Sequence, residues 1–171
     1  MTPRPSVNPS VGIRLERFLE KLDFPMFIVT CRAGDESSGC LVGFVTQCSM
    51  DPTRVLVCLS KKNHTYRVAT GASVLAIHLV PHDALDIVEL FGSETGDETD
   101  KFSRCRWSRG PEDVPLLDAC PSRIIGRIVD RTDVGDHVAF LIEPFEAAAG
   151  NERIFTFGMA RAEALEPGHP A

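Results

Sequence analysis

The chain has 171 residues, which is enough for one domain with a substantial core and too short for two comfortable ones. Its 18 basic and 24 acidic residues give a formal net charge of −6, which argues against a nucleic-acid surface that depends on neutralising phosphates. The sequence has neither a run of about 18 apolar residues nor the apolar core of a secretory signal, so we expect a cytoplasmic protein without membrane contact.

The N-terminal part predicts an arm, a helix and a strand. Residues 1–10 contain three prolines and few apolar side chains, as is typical of a flexible arm. Over residues 11–22 apolar residues recur at helical spacing, which predicts an amphipathic helix lying on the body of the protein. Residues 26–31 (MFIVTC) predict the first strand, which the Ala33-Gly34-Asp35 sequence ends in a turn.

The central stretch, residues 39–67, predicts a pair of strands. The apolar runs 39–46 and 54–60 are short, rich in valine and free of proline, so they favour buried strands over helices. Residues 47–53 form a polar connector, which Pro52 breaks because it has no amide proton to donate. We therefore predict a hairpin-like pair with polar residues at its turn and at its exit.

The exit of this pair carries residue types that bind anions. Ser60, Asn63 and Thr65 offer neutral donors, and Lys61 and Lys62 offer positive charge. A helix that begins near Thr65 adds free backbone amides at the same point. The alternative is a solvated turn that happens to carry two lysines.

The second half of the chain adds more strands than helices. In chain order it predicts a short helix over 66–70, a strand over 74–80, a helix over 83–90 capped by Asp83, a strand over 114–117, and strands over 124–131 and 137–143. Residues 93–100 are acidic and polar, which predicts an exposed loop. Five or six strands with few helices predict a mainly β fold, a closed or partly closed antiparallel barrel.

Several classes of site are excluded. The sequence has no serine nucleophile elbow, P-loop or GxGxxG motif. Its six cysteines never adopt CxxC spacing, so we expect free, mostly buried thiols and no metal site. His78 and His82 have a proline between them and need not share a face. His137 follows Gly135-Asp136 at a strand entrance, where its side chain can face a cleft, although a histidine beside a turn is usually just a partly exposed polar residue.

Taken together, these pieces resemble the flavin reductase-like family of FMN-binding split-barrel reductases. The resembling segments are FPMFIVTCR (24–32), GCLVGFVTQCSMDPTRVLVCLSKKNHTYR (39–67), ASVLAIHLV (72–80), DKF (100–102) and VGDHVAFLIE (134–143). The resemblance implies an antiparallel, Greek-key split barrel over residues 11–150 with a few peripheral helices. A C-terminal segment with a mobile tail follows over residues 151–171.

The resemblance also implies a function and a site. It implies an NAD(P)H-dependent flavin reductase that binds FMN or FAD, forms a homodimer and supplies reduced flavin to a monooxygenase. His137 would face the nicotinamide or flavin side of the cleft. The flavin would contact a larger set: Gly43, Phe44, Val45, Thr46, Gln47 and Cys48 at the ring, Ser60, Lys61, Asn63 and Thr65 at the ribityl and phosphate end, and Phe102 near the ring.

One departure from the family pattern bears on these contacts. Relatives commonly place two serines and an aromatic residue where this chain has Gly43, Phe44 and Val45, and a serine where it has Gln47. Each lost hydroxyl removes a hydrogen bond worth roughly 1 kcal/mol net, while backbone donors remain. Two alternatives therefore stay open: a non-catalytic flavin-binding or sensor module, and a split-barrel reductase that uses a deazaflavin or another small-molecule acceptor.

Overall fold

The computed structural model describes residues 9–19, 21–150, 157, 158 and 161. Its helices are α1 (Pro9–Leu19), α2 (His64–Gly71) and α3 (Leu85–Gly92), with short 3-10 turns at Lys101–Arg104 and Pro111–Asp113. Its strands are β1 (Phe27–Ala33), β2 (Glu36–Val42), β3 (Val45–Met50), β4 (Thr53–Ser60), β5 (Val74–Leu79), β6 (Trp107–Arg109), β7 (Pro115–Leu117), β8 (Arg123–Asp133) and β9 (His137–Ala148). No helix in this part of the chain is long and apolar enough to cross a membrane.

Seven strands form one antiparallel sheet in the order β2-β1-β5-β8-β9-β4-β3. The two edge strands, β2 and β3, are consecutive in the chain, and only Gly43 and Phe44 lie between them. A flat sheet of seven strands is about 29 Å wide, whereas the chain from Val42 to Val45 reaches at most about 11 Å. The sheet therefore curls until its edges meet, which confirms the predicted antiparallel barrel, open between β2 and β3.

The predicted boundaries in the central stretch are wrong. Residues 39–46 are not one strand: β2 begins at Glu36 and ends at Val42, and a new strand starts at Val45. Gln47 to Met50 are not a connector, since they belong to β3 and pair with β4. Only Asp51 and Pro52 form the turn. The early start of β2 follows from the two-residue hairpin at Gly34-Asp35, where Gly34 adopts a φ of +57°.

Two other expectations also need correction. Asp83 does not cap α3, because the N-cap residue is Ala84 and no side chain bonds to the helix start. The long connection after Arg104 contains two strands, β6 and β7, where one was predicted. Two of the three β6 residues, Ser108 and Arg109, are exposed polar side chains, so the apolar pattern gave no signal for this strand. The remaining predicted strands and the helix after Asn63 are confirmed.

Helix α1 forms where the apolar pattern predicts a helix, but it does not lie on the body. Val11, Leu15 and Phe18 share one face and are 48%, 50% and 60% exposed. The described residues of this chain therefore leave about half of this apolar face uncovered. The predicted arm overlaps the helix at Pro9 and Ser10, and its first eight residues lie outside the described part, as does the predicted C-terminal tail.

A buried histidine joins the barrel to the β6-β7 hairpin. The Nε2 atom of His78 accepts a hydrogen bond from the Leu117 amide at 3.1 Å, so in the neutral ring the proton sits on Nδ1 and is donated to the Ile28 carbonyl at 3.0 Å. Burial lowers the pKa of His78 to about 4. The imidazole is thus a neutral structural link between Ile28 and Leu117. The cysteines are free, and three of the six (Cys31, Cys40 and Cys120) are buried.

Candidate functional site at the open edge of the barrel

The open edge of the barrel is the unpaired side of β2. In the β1-β2 hairpin Ala33 pairs with Glu36 across a two-residue turn, so these two residues exchange hydrogen bonds. Every second pair does the same, which turns the amides and carbonyls of Ser37, Gly39 and Leu41 away from β1. Because β2 ends the sheet, these groups point toward the opening. They form a row of backbone donors and acceptors suited to the edge of a planar polar ligand.

A small cavity of about 140 Å³ lies at the C-terminal end of β2. Its walls come from three parts of the chain: the end of β2 with the link to β3, the end of β4, and the start of β9. The fold thereby brings together five of the predicted site residues, Gly43, Phe44, Ser60, Asn63 and His137.

A larger cleft of about 560 Å³ lies at the N-terminal end of β2. It is bounded by residues 36–39 of β2, by the loop 96–102 and by Trp107. The cleft and the small cavity are neighbours, since β2 borders both and the consecutive residues Asn63 and His64 line one each. Phe102 borders the cleft, where its ring packs edge-on against Trp107 with centroids 5.6 Å apart.

His137 is held by two contacts at the small cavity. Its ring meets the Phe44 ring edge-on, with centroids 5.3 Å apart. Its Nδ1 lies 2.8 Å from Oδ1 of Asp136, and this hydrogen bond lowers the pKa of the Asp136 carboxyl. A carboxylate only accepts, so Nδ1 carries the proton and Nε2 of the neutral ring is an acceptor.

The residues that follow β4 are engaged with the protein to different degrees. The Asn63 side chain caps α2 by accepting from the Thr65 amide at 2.8 Å. Thr65 is buried, and its hydroxyl shares a hydrogen bond with Ser38 at 2.9 Å. Lys61 Nζ donates to Asp133 at 2.7 Å and to the Gly135 carbonyl at 2.6 Å. Anion binding by Lys61 therefore requires exchange of these partners, and its role remains a prediction.

The other predicted ring contacts lie along β3, the opposite edge strand. Thr46, Gln47 and Cys48 are exposed, whereas Val45 is partly buried against the barrel core. The structure places them next to the opening without grouping them in either cavity. Their contact with a ligand also remains a prediction.

Two residues that sequence reasoning missed border the cleft. His64 is wedged between carboxylates, with Nε2 3.0 Å from Glu36 and Nδ1 2.9 Å from Asp97. Hydrogen bonds from Arg67 and His64 lower the pKa of Asp97 to about 2. Lys101 is buried and donates to the Gly39 carbonyl at 3.2 Å. The DKF segment contains this lysine, but no local sequence pattern predicts that a lysine beside an acidic loop is buried.

The donor set fits a flat heterocycle with a phosphate. The β2 edge offers backbone groups to a ring, and the Ser60 hydroxyl beside the positive end of the α2 dipole offers a donor to an anion. Fold and site together define a split-barrel protein with two neighbouring cavities along its edge strand β2.

Comparison with known proteins names the family. The profile of the flavin reductase like domain matches residues 19–160, so the chain belongs to that family. This confirms the resemblance seen in the sequence.

Individual relatives agree with this assignment. The chain is 25% identical to the ferric-chelate reductase (NAD(P)H) of Archaeoglobus fulgidus, over 74% of this chain and 76% of the relative. It is also 25% identical to the FMN reductase (NADH) RutF of Variovorax paradoxus, over 85% of this chain and 79% of the relative. The structure of the flavin reductase HpaC complexed with NADP+ shares the fold, with a TM-score of 0.77 at 18% identity, over 88% of this chain and 94% of HpaC.

Proposed function

We propose that this protein is an NAD(P)H-dependent flavin reductase that moves a hydride from nicotinamide to FMN or FAD. The observation that carries the proposal is the open edge of β2, which meets a cavity holding Asn63 and His137. The names of the relatives, an FMN reductase (NADH) and a ferric-chelate reductase (NAD(P)H), support the same chemistry.

The chain's own residues would bind and orient the reactants. A bound flavin supplies the hydride-accepting chemistry itself. The backbone groups of Ser37 and Leu41 and the Gly39 amide would hydrogen-bond the polar edge of the ring, in place of the missing hydroxyls at positions 43 and 44. The Ser60 hydroxyl, beside the positive end of the α2 dipole, would bind the phosphate end.

His137 acts as a positioning residue in this proposal. Asp136 fixes the tautomer, so Nε2 accepts a hydrogen bond from a donor such as the nicotinamide carboxamide. Phe44 supports the imidazole from the side and supplies an aromatic surface at the mouth of the cavity, where it is 56% exposed. Together they exclude water from one side of the reacting pair.

Reduced flavin is a product that a separate enzyme consumes, and we propose a monooxygenase as that partner. Several relatives are reductase components of such systems, including those of stachydrine N-demethylase, a trigonelline monooxygenase and a resorcinol hydroxylase. The chain spans 50%, 39% and 64% of these three relatives, respectively.

We also propose a homodimer, built from one domain over residues 11–150. The apolar face of α1 and the side chain of Met50, 86% exposed, offer surface that a second copy would cover. Light scattering coupled to gel filtration tests the assembly: a mass of one chain at micromolar concentration would reject it.

The test of function is spectroscopic. The purified protein is titrated with FMN and with FAD, and the complex is then mixed anaerobically with NADH or NADPH. We expect a flavin spectrum that bleaches with one of the nucleotides. Bound flavin that neither nucleotide reduces would instead identify a non-catalytic flavin-binding module.

The Archaeoglobus relative favours a second candidate, reduction of a small-molecule acceptor other than flavin. Turnover of NAD(P)H with a ferric chelate, but without added flavin as acceptor, would support it. Turnover that occurs with free flavin as the acceptor, and not with a ferric chelate, would instead support flavin reduction as the function.

A further inference from the structure

Lys101 stands out because it is a buried cation beside the open edge. Among the described residues it is the only lysine or arginine that is buried, with 5% of its surface exposed. It opens the 3-10 turn Lys101–Arg104, whose first amides are held by the carboxylate of Asp100. The turn directs the side chain inward, against β2 and the end of α3.

The contacts of the ammonium group among the described residues are with neutral groups. Its Nζ donates to the Gly39 carbonyl at 3.2 Å and to the Phe91 carbonyl at 3.4 Å, both longer than a typical charged hydrogen bond. Nζ also lies 5.5 Å from the centroid of the Phe91 ring, so its contacts among the described residues are two carbonyls and a ring face, and none is an anion. Burial lowers the pKa of Lys101, as expected when a charge leaves water without a close anion.

No carboxylate among the described residues forms a hydrogen bond or an ion pair with Lys101. Glu94 attracts the ammonium only through space, and its oxygens accept hydrogen bonds from Thr99 at 2.8 Å and Arg104 at 3.0 Å. A buried ammonium held by two carbonyls and a ring face is costly, and an anionic partner would offset that cost.

The position of Lys101 beside the edge of β2 indicates which anion could contact its ammonium group. The Gly39 carbonyl, which accepts from Nζ, is one of the groups that β2 presents at its open edge. Lys101 also borders the cleft of about 560 Å³ together with the rings of Phe102 and Trp107. A planar ligand that follows the β2 edge therefore passes beside the ammonium.

We propose that Lys101 is a direct contact for an anionic group of the bound flavin. That group is the phosphate, present in both oxidation states, or the part of the ring that becomes negative when the flavin is reduced. The inference rests on the proposed function and adds a residue that the family resemblance did not assign to the site. The alternative is purely structural, with Lys101 tying the end of α3 to β2.

The experiment compares Lys101→Met with a matched control, Arg109→Met. Both changes remove one positive charge from the cleft, but Arg109 is exposed and paired with Asp113 at 3.2 Å. Binding of FMN and of riboflavin is followed through the fluorescence of Trp107, the only tryptophan. The midpoint potential of the bound flavin is measured for each protein.

A phosphate contact predicts that Lys101→Met weakens FMN at least about tenfold and leaves riboflavin unchanged. A ring contact predicts unchanged binding of both oxidised flavins and about tenfold weaker binding of reduced FMN, which is a midpoint about 30 mV more negative. In either case Lys101→Arg retains most of the effect of the lysine, and Arg109→Met matches the wild type.

The inference is overturned if Lys101→Met binds oxidised and reduced flavins like the wild type, even when its thermal stability falls, because that pattern belongs to a structural tie. Equal effects of the two Met variants overturn it as well. If the wild type itself binds no flavin, the proposed function fails. If the wild type binds flavin and Lys101→Met binds it equally well, only the inference about Lys101 fails. If Lys101→Met no longer unfolds cooperatively, the same measurements are made on Lys101→Gln, whose side chain is a neutral donor.

Discussion

Acidification tests the buried histidine of the barrel. His78 is fully buried, and its neutral ring is required because Nε2 accepts from the Leu117 amide. Protonation would replace that acceptor with a second donor aimed at an N–H group. Lowering the pH from 7 to 4 is therefore expected to weaken the fold through this one side chain.

The size of the effect follows from the pKa values. The pKa of His78 falls from 6.5 to about 4 on folding, so the unfolded chain binds more protons than the folded protein in this interval. Stability from the neutral ring is fully present above pH 6.5 and is lost progressively as the pH falls toward 4. At about 1.4 kcal/mol for each pH unit, the loss is about 3 kcal/mol by pH 4.

Urea unfolding between pH 7 and pH 4 measures this loss. His78→Gln serves as the control, because it keeps an acceptor for Leu117 but does not titrate. We expect the free energy of unfolding to fall more steeply for the wild type than for the variant. Carboxyl groups of low pKa, such as Asp97, lose their contribution in more acid solution and are common to both proteins. Parallel curves for the two proteins between pH 6.5 and 4 would refute the reasoning.

Three further substitutions test the site and its supports. Asn63→Ala removes the side-chain cap of α2 and should lower the free energy of unfolding by about 1 kcal/mol in urea titrations, whereas equal stability would show that the cap is dispensable. Gly39→Ala places a Cβ 2.8 Å from the Phe91 ring, so calorimetry should show a loss of about 1–3 kcal/mol, and an unchanged melting temperature would contradict the packing argument. His137→Ala should slow hydride transfer or weaken NAD(P)H binding in stopped-flow measurements, and unchanged values of both would reject its positioning role.

Local pattern was enough to locate most elements of this fold. Strands β1, β5, β8 and β9 follow from short apolar or alternating runs, and the helix after Asn63 follows from its polar start. These features depend on residues close together in the chain. The order of the strands does not, since β4 pairs with β9 across about eighty residues.

The break between β2 and β3 was missed for a related reason. Gly43 and Phe44 continue an apolar run, and nothing in their neighbours shows that the sheet must close there. The same limit applies to Lys101, whose burial depends on how the acidic loop folds back over β2 and α3. The position of His137 at the start of β9, by contrast, was predicted because a turn and an apolar run meet at that residue.

The open side of the barrel can promote aggregation as well as border a ligand site. An unpaired strand edge is a template on which a strand from another molecule can add, the first step of edge-to-edge aggregation. In this protein the unpaired edge belongs to β2, the strand that also borders both the small cavity and the cleft. Preparations stripped of ligand should therefore precipitate sooner than saturated ones. Ligand added during refolding should keep strands of other molecules from pairing with this edge.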